Sequence, residues 1–117
     1  MFKVQLDYFR QRLLSEKEQL EKKLLQLEQD ISSFTREQYQ EGSLSPDVAS
    51  EMYEQENLLT QREEAKALLS EITTAIQRIE NGTFGNSVVS GKPIPLERLE
   101  ILPWAEYLVE EEKFVKH

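Results

Sequence analysis

The chain has 117 residues, 38% of them apolar and 31% charged, with 22 Asp and Glu against 14 Lys and Arg for a net charge of −8. That length holds one domain, or one extended element with a small appended domain, and the charge fraction implies much solvated helix around a modest core. Basic residues are scattered among acids, as in Glu16-Lys17-Glu18-Gln19-Leu20-Glu21-Lys22-Lys23, which argues against bare or sequence-specific nucleic acid as the partner, because phosphate binding draws on clustered positive charge. A protein surface is the expected partner instead.

No run of 18 apolar residues occurs, so no membrane span is expected. The opening Met1–Leu14 lacks the apolar run and small-residue cleavage site of a leader, and the expected location is cytoplasmic. The absence of cysteine excludes disulfides and thiol chemistry. Asn81-Gly82-Thr83 fits a glycosylation sequon but reads better as a helix-ending turn.

Leu13, Leu20, Leu27 and Phe34 recur every seven residues, with Leu24 and Ile31 between them. This is a heptad seam on a helix from about residue 3 to 40. Glu41-Gly42-Ser43 interrupts it, Gly42 being suited to the left-handed conformation just past a helix end. Ser45-Pro46-Asp47 restarts a helix with a capping hydroxyl, a proline in the first turn and an acid over the positive dipole end. The seam resumes in Leu58, Ala65, Ile72 and Ile79, with Leu69 and Ile76 between, and runs to about Glu80.

A link this short makes the two helices antiparallel neighbours. Folding at 42–45 sets Leu20 near Leu69, Leu13 near Ile76 and Ile31 near Leu58. The prediction is an antiparallel coiled-coil hairpin over 1–81, with its tip at about 42–49. From Leu13 to Gln40 it spans roughly 40 Å at about 1.5 Å per residue. Gln55 and Arg62 occupy seam positions, so the tip half is thinly apolar and solvated.

After Gly82 the character changes, with three of the four glycines between 82 and 91. Residues 82–117 read as a turn-rich knuckle, a short helix opened by Pro95, and a terminal helix from Trp104. Phe84, Val88, Val89, Ile94, Leu96, Leu99, Leu102, Trp104, Tyr107 and Leu108 are the expected core of this module.

Gly82-Thr83-Phe84-Gly85, then Gly91-Lys92-Pro93-Ile94-Pro95-Leu96-Glu97-Arg98-Leu99-Glu100, then Leu102-Pro103-Trp104-Ala105 resemble the C-terminal module of the DksA/TraR family, bacterial factors that bind RNA polymerase. The preceding hairpin, ending in Ala75-Ile76-Gln77-Arg78-Ile79-Glu80-Asn81, resembles that family as well, so the likeness covers nearly the whole chain. It implies a mostly α fold: a long helical hairpin, a small zinc-finger-like module and a C-terminal helix. The family's four zinc cysteines fall here on Ser87, Ser90, Leu108 and Glu111. Two hydroxyls, an alkyl group and one carboxylate do not make a tetrahedral zinc site. The expectation is a degenerate, metal-free finger without cofactors, in which packing replaces a metal worth on the order of 10 kcal/mol, and Leu108 puts an alkyl group where a thiolate would sit.

In the family the hairpin enters the secondary channel of RNA polymerase, the pore leading to the catalytic magnesium, and a tip Asp-x-Ala acts there. Counted without gaps from the Gly82–Gly85 anchor, Asp47-Val48-Ala49 falls on that motif, and Leu44 replaces a further family acid. The resemblance therefore implies a transcription regulator whose polymerase-contacting tip is Asp47, Ala49 and Leu44. Asp47 also serves as an ordinary helix-capping acid after Ser-Pro, and both roles are compatible. Positions matching the family's guanosine tetraphosphate contacts are Glu71, Leu102 and Glu112, none basic, while Arg98 is expected to pair with Glu97 or Glu100.

No nucleophile–histidine pair, phosphate-binding glycine loop or metal cluster is evident, so no enzyme is expected and no residue is assigned as catalytic. The alternative reading is a coiled-coil scaffold or dimerising protein unrelated to polymerase. Because the seam is already used within the chain, a monomer is expected.

Overall fold

The structure is a computed structural model. It describes residues 1–41 and 48–115, with side chains described outside 35–49. Two long helices, α1 (Lys3–Glu41) and α2 (Val48–Glu80), are followed by a short helix α3 (Leu96–Ile101) and a 3-10 helix (Val109–Phe114). Among the described residues there is no strand beyond an isolated antiparallel bridge between Asn86 and Pro93. None of the helices there is long and apolar enough to cross a membrane. The chain forms two compact units, one of Met1–Lys17 with Ser70–His117 and one of Glu18–Leu69.

In the unit Glu18–Leu69 the predicted seam is visible as burial. Leu20, Leu27 and Ala65 are buried, while Leu24, Ile31, Phe34, Leu58 and Leu69 are half-buried. Arg62 on α2 reaches Glu28 on α1 at 3.5 Å, an antiparallel neighbour contact that agrees with the register placing Leu20 near Leu69. Its Nε is buried without a hydrogen bond, 3.6 Å from a Glu63 oxygen. Such partly exposed pairs contribute little, because solvent screens them and ordering long side chains costs entropy. Glu28→Gln should shift the unfolding free energy by less than about 1 kcal/mol in urea titration.

In the other unit the two helices are packed differently. Here α1 buries Phe9 and Leu13, and α2 buries Ile72, Ala75 and Arg78. A strict heptad would have buried Leu6, which is only half-buried. Phe9 lies four residues before Leu13 and therefore on the same helical face. Its ring meets Phe84 at 5.7 Å between centroids. Tyr8 and Arg12, on the next stretch of that helix surface, hold α3. The Tyr8 hydroxyl donates to Glu100 Oε2 at 2.9 Å, and Arg12 donates to the Glu100 carbonyl at 2.6 Å and to its carboxylate at 3.2 Å.

Helix α2 ends at Glu80, and Gly82 at φ 80° supplies the left-handed turn after it. Helix α3 follows Pro95, whose carbonyl accepts from Arg98 and Leu99. The terminal helix, expected from Trp104, starts only at Val109 and is a 3-10 helix. The reason lies in the carbonyls of the intervening segment. Glu106 O accepts from Val88 N at 2.8 Å and Tyr107 O from Arg98 Nε at 2.9 Å, so neither serves a helical ladder.

Candidate functional site

The expected tip residues Leu44 and Asp47 lie outside the described residues, as does the side chain of Ala49. The part of the expected site that the structure describes is the knuckle where the family's metal ligands fall.

That knuckle is built from backbone first. Ser87 N donates to Lys92 O at 2.8 Å, Ile94 N to Gly85 O at 2.7 Å, and Gly91 N to Ser87 O at 2.9 Å, closing residues 85–94 into a tight hairpin-like turn. Inside the turn the Ser87 Oγ accepts the amide protons of Val89 at 3.0 Å and Ser90 at 3.3 Å. Its own proton goes to Glu111 Oε1 at 2.5 Å, a bond joining residues 24 apart in the chain. The same carboxylate oxygen accepts from Leu108 N at 2.8 Å, closing the first turn of the 3-10 helix. Ser87 and Glu111 are 5% and 7% exposed, so this polar pair is enclosed.

The electrostatics follow from those hydrogen bonds. The Ser87 hydroxyl, and after it the Ser90 hydroxyl, hold the Glu111 carboxyl below the usual carboxylate range; the Leu108 amide and the field of Lys92 add to this, and burial opposes it. A carboxylate that accepts several hydrogen bonds in its charged form is stabilised as the anion, and here the donors outweigh desolvation.

These residues do not fit the zinc that the family resemblance implies. The Ser87 oxygen is saturated by two accepted amides and a donated proton, Leu108 offers no donor atom, and Ser90 is exposed with its hydroxyl accepting from Lys92 N at 3.3 Å. Only Glu111 of the four positions is a usual metal ligand. Among the described residues no three His, Cys, Asp or Glu side chains gather into a metal-holding group.

The module's core differs in part from expectation. Phe84, Ile94, Leu99 and Leu108 are buried, and Leu102, Trp104 and Tyr107 are half-buried. Val88, Val89 and Leu96 are exposed instead, Val88 by 58%. In the knuckle the backbone amides of Val88 and Val89 turn inward to Glu106 O and Ser87 Oγ, which leaves their side chains on the outside. Pro103 and Ala105 join the core in their place.

Sequence reasoning missed Arg78. This residue is 9% exposed, and its guanidinium donates to Thr83 O at 2.9 Å and to Asn86 O. Its own carbonyl accepts from Thr83 N and Phe84 N at 2.9 and 3.1 Å. One residue thus ties the end of α2 to the turn leading into the knuckle. The available signal was its spacing, three residues after Ala75 and six after Ile72, on the buried stripe of α2.

Arg98 pairs with neither Glu97 nor Glu100. Its Nε donates to Tyr107 O, and its guanidinium lies 5.7 Å from the Tyr107 ring centroid. Arg98, Glu71 and Leu102 line one small cleft with Trp104, Glu106 and Tyr107, while Glu112 is exposed on the 3-10 helix.

These features define a class: an antiparallel helical hairpin followed by a finger-like module whose metal position is filled by a serine–glutamate hydrogen bond. No protein-family model matches the chain. It is 35% identical over 106 residues to the RNA polymerase-binding transcription factor DksA of Caulobacter vibrioides, an alignment covering 91% of this chain and 72% of that protein. The solved structure of transcription factor DksA2 from Pseudomonas aeruginosa superposes with a TM-score of 0.80 at 27% identity, covering 96% of this chain and 83% of that one. A second structure, of the RNA polymerase binding protein and transcriptional regulator Dks from Chlamydia trachomatis, shares the fold at a TM-score of 0.60 and 24% identity, covering 97% of this chain and 91% of that one. The chain belongs to the DksA family of transcription factors, as a member without the zinc-finger cysteines.

Proposed function

We propose that this protein binds bacterial RNA polymerase through the secondary channel and modulates initiation through the residues of its interhelical turn, without catalysing a reaction. The observation that carries the reading is the match over 91% of the chain to a polymerase-binding transcription factor. Asp47, Ala49 and Leu44 are the contacts assigned to the polymerase, Asp47 as the acid that perturbs polar elements near the catalytic magnesium and Ala49 as the small residue that permits close approach. The protein acts as a monomer, since its seam is taken up within the chain.

The charge distribution supports the same reading. Residues 24–64 contain ten acidic and two basic residues, whereas the rest of the chain contains twelve of each. The whole net charge therefore sits on the turn-side part of the hairpin. Unbalanced like charge repels itself and is suited to a partner surface of opposite sign, where it steers association and penalises nucleic acid. Guanosine tetraphosphate is not an expected ligand. The Arg98 guanidinium is committed to Tyr107 O, and Glu71 and Glu106 flank it in the same cleft.

The test is binding to purified bacterial RNA polymerase, with a known secondary-channel factor as competitor. The wild type should bind at micromolar concentration or better and be displaced by the competitor. Asp47→Asn should bind within about 1 kcal/mol of wild type, as expected for loss of one ion-pairing charge, but lose the effect on promoter-complex lifetime in transcription assays. Affinity should fall as salt rises from about 50 to about 200 mM, since mobile ions screen attraction between surfaces of opposite charge. Absence of binding at low salt would sink the proposal, and an unchanged transcriptional effect in Asp47→Asn would reduce that residue to a helix cap.

A further inference from the structure

Ser87 and Glu111 do more than fail as zinc ligands. Two chain segments that a metal would cross-link, the 87–90 turn and the 108–111 turn, are here bridged by one enclosed hydroxyl–carboxylate bond of 2.5 Å. Each partner of that bond also organises its own turn. The Ser87 oxygen collects the Val89 and Ser90 amides, and the Glu111 oxygen collects the Leu108 amide. A thiolate in a metal knuckle combines the same two duties, bridging outward while accepting backbone amides from its own turn. We propose that the Ser87–Glu111 pair is a proton-dependent latch that replaces the metal, so that the module's closure answers to acidity and not to zinc supply or thiol oxidation.

The chemistry of the pair explains the dependence. As a carboxylate, Glu111 accepts from both Ser87 Oγ and Leu108 N on one oxygen. Once protonated, it is a weaker acceptor for both donors, and the attraction to Lys92 disappears. Glu111 faces Ser87, Ser90 and Lys92 of the knuckle turn, while Glu110 and Glu112 beside it on the 3-10 helix are exposed. Glu106, half-buried on the segment before, presents its carbonyl to Val88. Because the folded carboxyl titrates below its unfolded value, the latch contributes fully above the ordinary carboxylate range. Its contribution fades as pH falls through the lowered folded value. Zinc-binding members of such a fold would respond to chelators and oxidants at neutral pH, and this chain would not.

The full-length protein tests this by amide hydrogen exchange and thermal melting, with and without equimolar zinc or EDTA, between pH 3 and 7. The expected result is identical melting under all metal conditions, with no zinc retained by elemental analysis. Ser87→Ala should abolish the exchange protection of the Val89 and Ser90 amides at pH 7, and lower that of Leu108 as Glu111 loses its partner, while leaving that of α1 and α2 intact. The nearly isosteric Glu111→Gln keeps an acceptor for Ser87 and Leu108. It should retain partial protection of those amides while losing the acid-side fall in their protection that wild type shows. Stoichiometric zinc that raises the melting temperature overturns the proposal. So does protection of Val89 and Ser90 that is unchanged in Ser87→Ala, or an acid-side transition that persists unaltered in Glu111→Gln.

Discussion

Phe9→Ala should be among the most damaging single substitutions in the chain, lowering the unfolding free energy by about 3–5 kcal/mol, the range for a buried phenylalanine reduced to alanine. Phe9 is 2% exposed and its ring stands between Tyr8, at 5.1 Å and edge-on, and Phe84, at 5.7 Å. Phe84 belongs to the Gly-Thr-Phe-Gly turn, so deletion of the Phe9 ring removes both the packing of α1 and the wall against which that turn is set. A double-mutant cycle with Phe84→Ala should return a coupling of about 0.5–1.5 kcal/mol, the size of an aromatic pair interaction beyond its buried area. Chemical denaturation followed by circular dichroism measures both quantities. Additive effects of the two substitutions would show that the rings merely share a core without acting on each other.

The role of Phe9 illustrates how far the sequence was legible. Heptad periodicity located both long helices, their antiparallel order and most of the seam within Glu18–Leu69, because in that stretch each helix has a single partner and burial follows a single stripe. Near the chain ends α1 also serves α3 and the Gly82–Gly85 turn, so the buried stripe moves from the heptad position Leu6 to Phe9. Periodicity in one helix carries no information about a third element that packs against it.

The knuckle was legible in a different way. Its position and its lack of thiolates could be read residue by residue, and the exclusion of a usual zinc site follows from donor chemistry alone. What replaced the metal could not be read. Apolar packing by Val88 and Val89 was the natural expectation from composition, yet both are exposed because their amides are the groups turned inward. The Ser87–Glu111 bond spans 24 residues, and a serine and a glutamate at that separation have no local signature. Pairing of this kind is set by the closure of the turns that carry the two residues.

Arg78→Met should cost about 3 kcal/mol, the scale of losing charge-assisted hydrogen bonds from one enclosed guanidinium, and should lower the melting temperature by on the order of 10 °C. The substitution keeps much of the apolar stem that packs beside Ala75, so the loss reports the two carbonyls of Thr83 and Asn86 that the guanidinium serves. Those carbonyls sit on either side of Phe84 and Gly85 and set the path of the chain into the knuckle. Arg78→Lys should recover little, because both bonds leave the outermost nitrogen, Nη2, and a lysine ammonium stands one bond short of that position. The exchange protection of Ser87 and Ile94, whose amides close the turn that follows Asn86, should fall in both variants, while protection across Leu20–Leu27 stays as in wild type. Full recovery of stability by lysine would mean that charge alone, and not the reach of the guanidinium to both carbonyls, holds the end of α2 to the turn.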